Sequence, residues 1–119
     1  MKKKGNKICI RDINGILMII DINEIINFEK HDKHIKINIL NGSKEVYINR
    51  TMKSLFIFLN DNMLDNFYKS HYSFIININH IKCVNSKVIS MTNNIKIPIS
   101  NRYKENLMNS IKNRFLEIN

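Results

Sequence analysis

Polar and apolar positions alternate in short runs along most of this chain, and that period of two predicts strands. The cleanest run, His34-Ile35-Lys36-Ile37-Asn38-Ile39, should lie half buried with Ile35, Ile37 and Ile39 facing inward. Asn41-Gly42 follows directly, a dipeptide suited to the positive backbone angles of a tight hairpin, so residues 44–48 should be the returning strand. Ile-rich segments at 8–10, 15–21 and 25–29 are bounded by Asn, Asp or Gly and read as earlier strands. Later strands are predicted at 73–76, 81–84, 88–91 and 95–99, with Asn85-Ser86 and Asn93-Asn94 supplying turns. The period changes twice. Met52, Leu55, Phe56 and Leu59 recur at helical spacing, so residues 51–59 should form a helix capped by Thr51 or Asn49. Residues 60–65 then read as a loop or frayed turn. Tyr103, Leu107, Ile111 and Phe115 stack at four-residue intervals and predict a final helix beginning after Ser100. With no repeat or linker, the chain is a single mainly β domain with one short internal helix and one C-terminal helix.

Charge narrows the partner. A formal net charge of +9 on 119 residues, with a pI near 9.7, suits a polyanion. Even the longest apolar runs, such as residues 16–20, are far too short to span a bilayer, so no membrane insertion is expected. Met1-Lys2-Lys3-Lys4 mimics the basic start of a signal peptide, but Gly5-Asn6-Lys7 and Arg11-Asp12 interrupt where its apolar segment should lie. The expectation is a cytoplasmic protein with a basic tail over residues 1–7 and the domain over 8–119. Cys9 and Cys83 fit that compartment as free thiols and should be buried as small hydrophobes. Ile and Asn are abundant while Ala, Gln and Trp are absent, so single Asn or Ile residues carry less weight than usual. His31 and His34 form a His-x-x-His pair, but nothing nearby completes a metal ligand set. Carboxylates are sparse and there is no Gly-rich phosphate loop, nucleophile motif or activated cysteine. Neither enzyme chemistry nor a cofactor is expected.

Two stretches are more specific. Phe67-Tyr68-Lys69-Ser70-His71-Tyr72-Ser73-Phe74-Ile75-Ile76-Asn77, followed by Ile81, resembles the most characteristic line of the LytTR family of bacterial DNA-binding domains. Ile97-Pro98-Ile99-Ser100-Asn101-Arg102-Tyr103-Lys104 is similar to that family's closing Ile-Pro-x-Ser-Arg stretch. The approach Asp21-Ile22-Asn23-Glu24-Ile25-Ile26-Asn27-Phe28-Glu29, then His34-Ile35, Asn41-Gly42 and Met52-Lys53-Ser54-Leu55 follow in the family's order. The resemblance implies an elongated stack of small antiparallel β-sheets that grips duplex DNA through loops, as a sequence-specific transcriptional regulator. It also implies binding to repeated half-sites, with tandem pairing on DNA. In the family such a domain commonly follows a receiver domain in a two-component response regulator; some small members resemble partners of membrane-bound inhibitors. The lysine-rich start favours a freestanding regulator over the output half of a longer one.

Three loops are implied as the contact surface, at residues 30–34, 69–72 and 100–104. Each sets cations beside groups that can hydrogen-bond base edges. The base-contact candidates are His34, Tyr72, Asn101 and Arg102. Tyr72 and Asn101 depart from the family, which commonly carries Arg or Asn at the first place and Arg at the second, so base preference should differ here. The phosphate candidates are Lys30, Lys33, Lys69, Ser70 and Lys104, with Arg50 and Lys53 at the start of the internal helix. Asn77 should order the turn at residues 77–79 instead of touching DNA. The other reading of the charge is an RNA-binding or protein-interaction β module. An RNA module should expose aromatics on a sheet face for base stacking, whereas the aromatics here fall mostly on core positions.

Overall fold

The computed structural model describes residues 6–42 and 45–118, and the protein is elongated, 47 × 34 × 26 Å. β1 (Lys7–Arg11) and β2 (Leu17–Asp21) form a two-stranded hairpin whose turn is held by Asp12, its Oδ1 accepting the Asn14 and Ile16 amides. A five-stranded sheet follows, built from β3 (Ile25–His31), β4 (His34–Ile39), β5 (Val46–Ile48), β6 (Phe67–His71) and β7 (Phe74–Asn77) in the order β5-β4-β3-β7-β6. β8 (Ile81–Val84), β9 (Val88–Met91) and β10 (Lys96–Pro98) make a third sheet. All pairings are antiparallel. The helix α1 (Met52–Asp61) links β5 to β6, and α2 (Asn101–Arg114) closes the chain.

The large sheet has a core on each face. Ile25 and Phe28 of β3 join Ile35, Ile37, Phe67 and Ile75 beneath the β1–β2 hairpin and the Leu55 and Leu59 stripe of α1. Ile26 and Ile76 face the other way, toward Ile89, Met91 and Ile97 of the third sheet and Leu107 of α2. Adjacent Ile25 and Ile26 enter opposite cores by ordinary alternation, and an irregularity in the pairing with β4 between Ile25 and Asn27 lets Phe28, three residues after Ile25, fall in the same core as Ile25. Where β2 leads into β3 and β7 into β8, a short 3-10 turn intervenes. Asp21 Oδ1 accepts the Asn23 amide and Asn77 Oδ1 the Asn79 amide, so Asn77 orders its turn as the sequence suggests.

The strand and helix pattern is largely as expected, with five corrections. Residues 67–71 form the edge strand β6, so the second proposed loop is strand up to His71. Cys9 and Cys83 are exposed because both point outward from their strands. Phe115 is the C-cap of α2 and 46% exposed, since the helix ends one residue before it. Lys7 belongs to β1 and not to a tail, and the residues before Asn6 lie outside those described, as does Lys44. At the Asn41-Gly42 turn only Asn41 takes a positive φ, 59°.

The end of α1 carries a measurable strain. Asn62 is the C-cap, the Met63 amide donates to the Asn60 carbonyl and the Leu64 amide to that of Leu59, the pairing of a Schellman motif. Met63 therefore sits at φ 59°, the left-handed position where a Cβ crowds the following carbonyl. Its side chain is exposed and has no core to give up. Met63→Gly should stabilise the fold by about 1 kcal/mol, net of glycine's extra freedom in the unfolded chain. Urea denaturation would register this as a higher midpoint at unchanged slope; a lower midpoint would contradict it.

Candidate nucleic-acid interface

The three segments singled out in the sequence are one surface, joined by the backbone. At the β3–β4 hairpin His31 and His34 face each other and Asp32 takes the turn at φ 54°. The Lys30 amide donates to the Ser73 carbonyl (2.8 Å), which sets this hairpin against the β6–β7 turn. The Ser100 amide donates to the Ser70 carbonyl (2.9 Å), which docks the start of α2 on β6. Only part of this surface is loop. Residues 69–71 are strand, residues 101–104 are the first turn of α2, and the loop positions are Asp32, Lys33, Tyr72, Ser73 and the N-cap Ser100.

His34, half buried, opens β4 and lines a groove of about 330 Å³ together with Lys30, Lys33, Arg50 and Tyr72. Tyr72 is 67% exposed and lies against the His71 ring, centroids 4.4 Å apart. The His71 ring is itself fixed, because Nδ1 accepts the Ser73 amide (3.1 Å) and the Phe74 ring packs edge-on at 5.9 Å. With Nδ1 accepting, the proton of the neutral imidazole sits on Nε2. His31 turns elsewhere: its ring lies 5.4 Å from that of Tyr47. The Tyr47 hydroxyl donates to Glu45 (2.9 Å), and that bond, with the Lys36 charge, holds the Glu45 carboxyl below its ordinary pKa.

Arg50 precedes the helix α1, whose N-cap Thr51 accepts the Ser54 amide on Oγ1. Its Nε donates to Ser54 Oγ (3.1 Å) and its guanidinium lies 4.9 Å from the centre of the Phe58 ring, so residues 50, 54 and 58 hold it along one helix face. Lys53 is exposed on the first turn of α1. Lys69 is placed differently from the other cations. Its ammonium lies 5.2 Å from the Phe56 ring centre and 5.9 Å from that of Tyr103, between α1 and α2, while Arg102 lies 5.5 Å from the same Tyr103 ring. The periodicity had marked Phe56 and Tyr103 only as members of apolar helix faces, and nothing in their spacing signals that they hold cations. Asn101 and Arg102 are exposed and Lys104 is half exposed. Ser70 is fully buried and its hydroxyl has no partner, so its side chain cannot meet a phosphate.

Among the described residues the one ion pair is Lys36–Glu45 (3.6 Å). The cations at 30, 33, 50, 53, 69, 102 and 104 therefore have no carboxylate within pairing distance there, which leaves their field open to an outside anion. No helix among the described residues is long and apolar enough to cross a membrane. Lys69→Met, which keeps the aliphatic stem and removes the charge from between the two rings, should cost about 1 kcal/mol in urea denaturation, with Lys69→Arg retaining most of it. Equal stability of the Met variant and the parent would show that the rings do not use the cation.

The model of the LytTR family, described as the LytTr DNA-binding domain, matches residues 15–112. Among solved structures, the chain is similar to the LytTr DNA-binding domain of a Bacillus cereus protein described as a methyl-accepting/DNA response regulator. That likeness covers 87% of this chain and 94% of the other, with a TM-score of 0.69 at 22% identity, and establishes the shared fold. No curated protein matches.

Proposed function

The chain belongs to the LytTR family of DNA-binding domains, and from that premise we propose that it regulates transcription by setting one end of its large sheet into the major groove of repeated half-sites. The observation that carries this reading is the joining of residues 30–34, 69–73 and 100–104 into one surface whose cations lack carboxylate partners among the described residues. Affinity in such a complex comes mainly from phosphates and sequence choice from base edges.

In this reading His34, Tyr72, Asn101 and Arg102 meet base edges. His34 donates to a guanine or thymine acceptor, and Tyr72 packs on a thymine methyl. Asn101 reads adenine in a bidentate manner, and Arg102 reads guanine. Lys30, Lys33, Arg50, Lys53 and Lys104 anchor phosphates, Arg50 and Lys53 aided by the N-terminus of α1. Lys69 holds α1 and α2 in register beneath them. A receiver domain or a membrane-bound inhibitor would act on this DNA-binding step from outside the chain. The RNA reading finds no support in the surface. Among the described residues the exposed aromatics are Tyr72 and Phe115, which are separate and form no stacking platform.

Selection from a random duplex pool tests the reading and names the bases. If about five to seven phosphates are neutralised, log affinity should fall against log salt with a slope of roughly −5 to −6. On the selected duplex His34→Ala and Arg102→Ala should each cost about 1–3 kcal/mol and affect scrambled duplex less. Lys53→Ala should weaken both alike and lower the slope by about one. Equal losses on both duplexes for His34 and Arg102 would remove the base-reading assignment, and a flat salt response would remove DNA binding itself.

Half-sites read by two copies from one side of the duplex should lie about one helical turn, roughly 10 base pairs, apart. Inserting half a turn between them should abolish joint occupancy in a footprint. Unchanged occupancy would count against the tandem arrangement.

A further inference from the structure

The β1–β2 hairpin leaves a second surface unexplained. Its inner face, Ile8, Ile10, Met18 and Ile20, covers the first core. On the outer face the register sets Lys7 beside Asp21, Cys9 beside Ile19 and Arg11 beside Leu17. Leu17 is 53% and Ile19 59% exposed, and Ile13 and Ile16 extend the apolar surface toward the hairpin tip. A small sheet with apolar groups on both sides is unusual for a monomer, because the outer side forgoes the stabilisation that burial would bring. Cys9 is exposed as well, so among the described residues nothing covers this face.

We propose that this face receives the same face of a second copy, related by a two-fold axis parallel to the strands. The register selects that axis. A rotation about the strand direction keeps each residue at its own level and exchanges the two strands, so every side chain meets the copy of its cross-strand neighbour. Lys7 then meets Asp21 of the second copy, Cys9 meets Ile19, and the Arg11 stem covers Leu17, with both ends repeated by symmetry. The alternative axis, across the strands, would set Lys7 against Arg11 and Asp21 against Leu17, which opposes like charges and leaves the carboxylate on an apolar side chain. Stacked sheets about 10 Å apart would bury the Cys9, Leu17 and Ile19 side chains of both copies.

The area limits the strength. Two strands about 4.8 Å apart and five residues long at about 3.4 Å each offer well under the roughly 800 Å² per partner of a stable interface. The dimer is thus weak, with a dissociation constant on the order of 0.1–1 mM. Copies on direct repeats are related by a screw along the duplex and not by a two-fold, so this contact joins copies on inverted or separate sites, or free in solution. It does not depend on the DNA reading.

Sedimentation equilibrium of the whole chain up to about 1 mM, without DNA, tests it. The parent should show a monomer–dimer equilibrium. Ile19→Lys, at a position exposed enough to leave the fold intact by circular dichroism, should weaken it at least about tenfold by burying an unpaired charge. Lys7→Glu should weaken it about three- to tenfold by opposing Asp21 of the other copy. Leu116→Lys, on the exposed C-terminal segment away from the hairpin, should change nothing. A parent that stays monomeric, an Ile19→Lys variant that associates as well as the parent, or a Leu116→Lys variant that fails to associate overturns the face. A Lys7→Glu variant that associates more tightly overturns the axis, because only the across-strand arrangement would then gain an opposite-charge contact with Arg11.

Discussion

β3 has to be buried on both sides, and the rest of the fold follows from meeting that demand. A strand covered on two faces cannot satisfy its polar groups with water, so each neighbour must supply partners as well as apolar contact. β4 and β7 supply the ladder on either edge. At the start of the strand, where the pairing is irregular, the Asn77 side chain crosses from β7 and donates through Nδ2 to the Ile25 carbonyl (2.9 Å). Asn77 is 1% exposed, and the same side chain accepts the Asn79 amide, so one amide closes the irregularity in β3 and the turn into β8. Removing it would leave a buried carbonyl and a turn amide unpaired together, each a penalty of about 1–3 kcal/mol.

The two-core arrangement also fixes where the candidate interface can lie. With the hairpin and α1 on one face of the large sheet and the third sheet and α2 on the other, the open ground is the end where β3 turns into β4 and β6 into β7. Both helices begin near that end. Lys69 sits between Phe56 and Tyr103, and the Ser100 amide is tied to Ser70, so α1, β6 and α2 are mutually constrained there. Groups held by such contacts lose less freedom on meeting a duplex than groups on free loops, and that retained entropy appears as affinity.

What the sequence made legible follows the same division. The β4 alternation and the α1 stripe were readable because each buries one face, which is the condition under which periodicity reports structure. β6 was not readable. Of Phe67-Tyr68-Lys69-Ser70-His71 only Phe67 and Ser70 are buried, three residues apart, because the pairing with β7 shifts between Lys69 and His71 and breaks the period of two. The cysteines were misplaced because a residue type favours burial only on average, and the outer side of the β1–β2 hairpin is apolar without being covered. At the interface the cations were legible by type and segment. The burial of Ser70 and the rings around Lys69 were not, since the Ser70 and Tyr103 contacts depend on α2 returning to β6 from some thirty residues further along and the Phe56 contact on how α1 packs.

The abundance of asparagine, which lowers the weight of any single Asn as a signal, has a physical use. With three glycines in 119 residues the chain has few positions free to take left-handed angles, and short Asx side chains carry much of the turn-making instead. Asn85 Oδ1 accepts the Lys87 and Val88 amides, Asn93 Oδ1 that of Ile95, and Asn41 and Asn94 take positive φ themselves. A turn closed by its own side chain is stiffer than one opened by glycine, because glycine widens the conformations available while the side-chain bond narrows them. Asp32 takes a left-handed φ of 54° in the hairpin that presents Lys33 and His34, an angle that costs less for Asp than for most other residues. A glycine there would relieve the angle but loosen the segment, and the position of the His34 ring relative to Tyr72 across the groove would widen with it. Strain at Asp32 and order at His34 are thus two sides of one choice of residue.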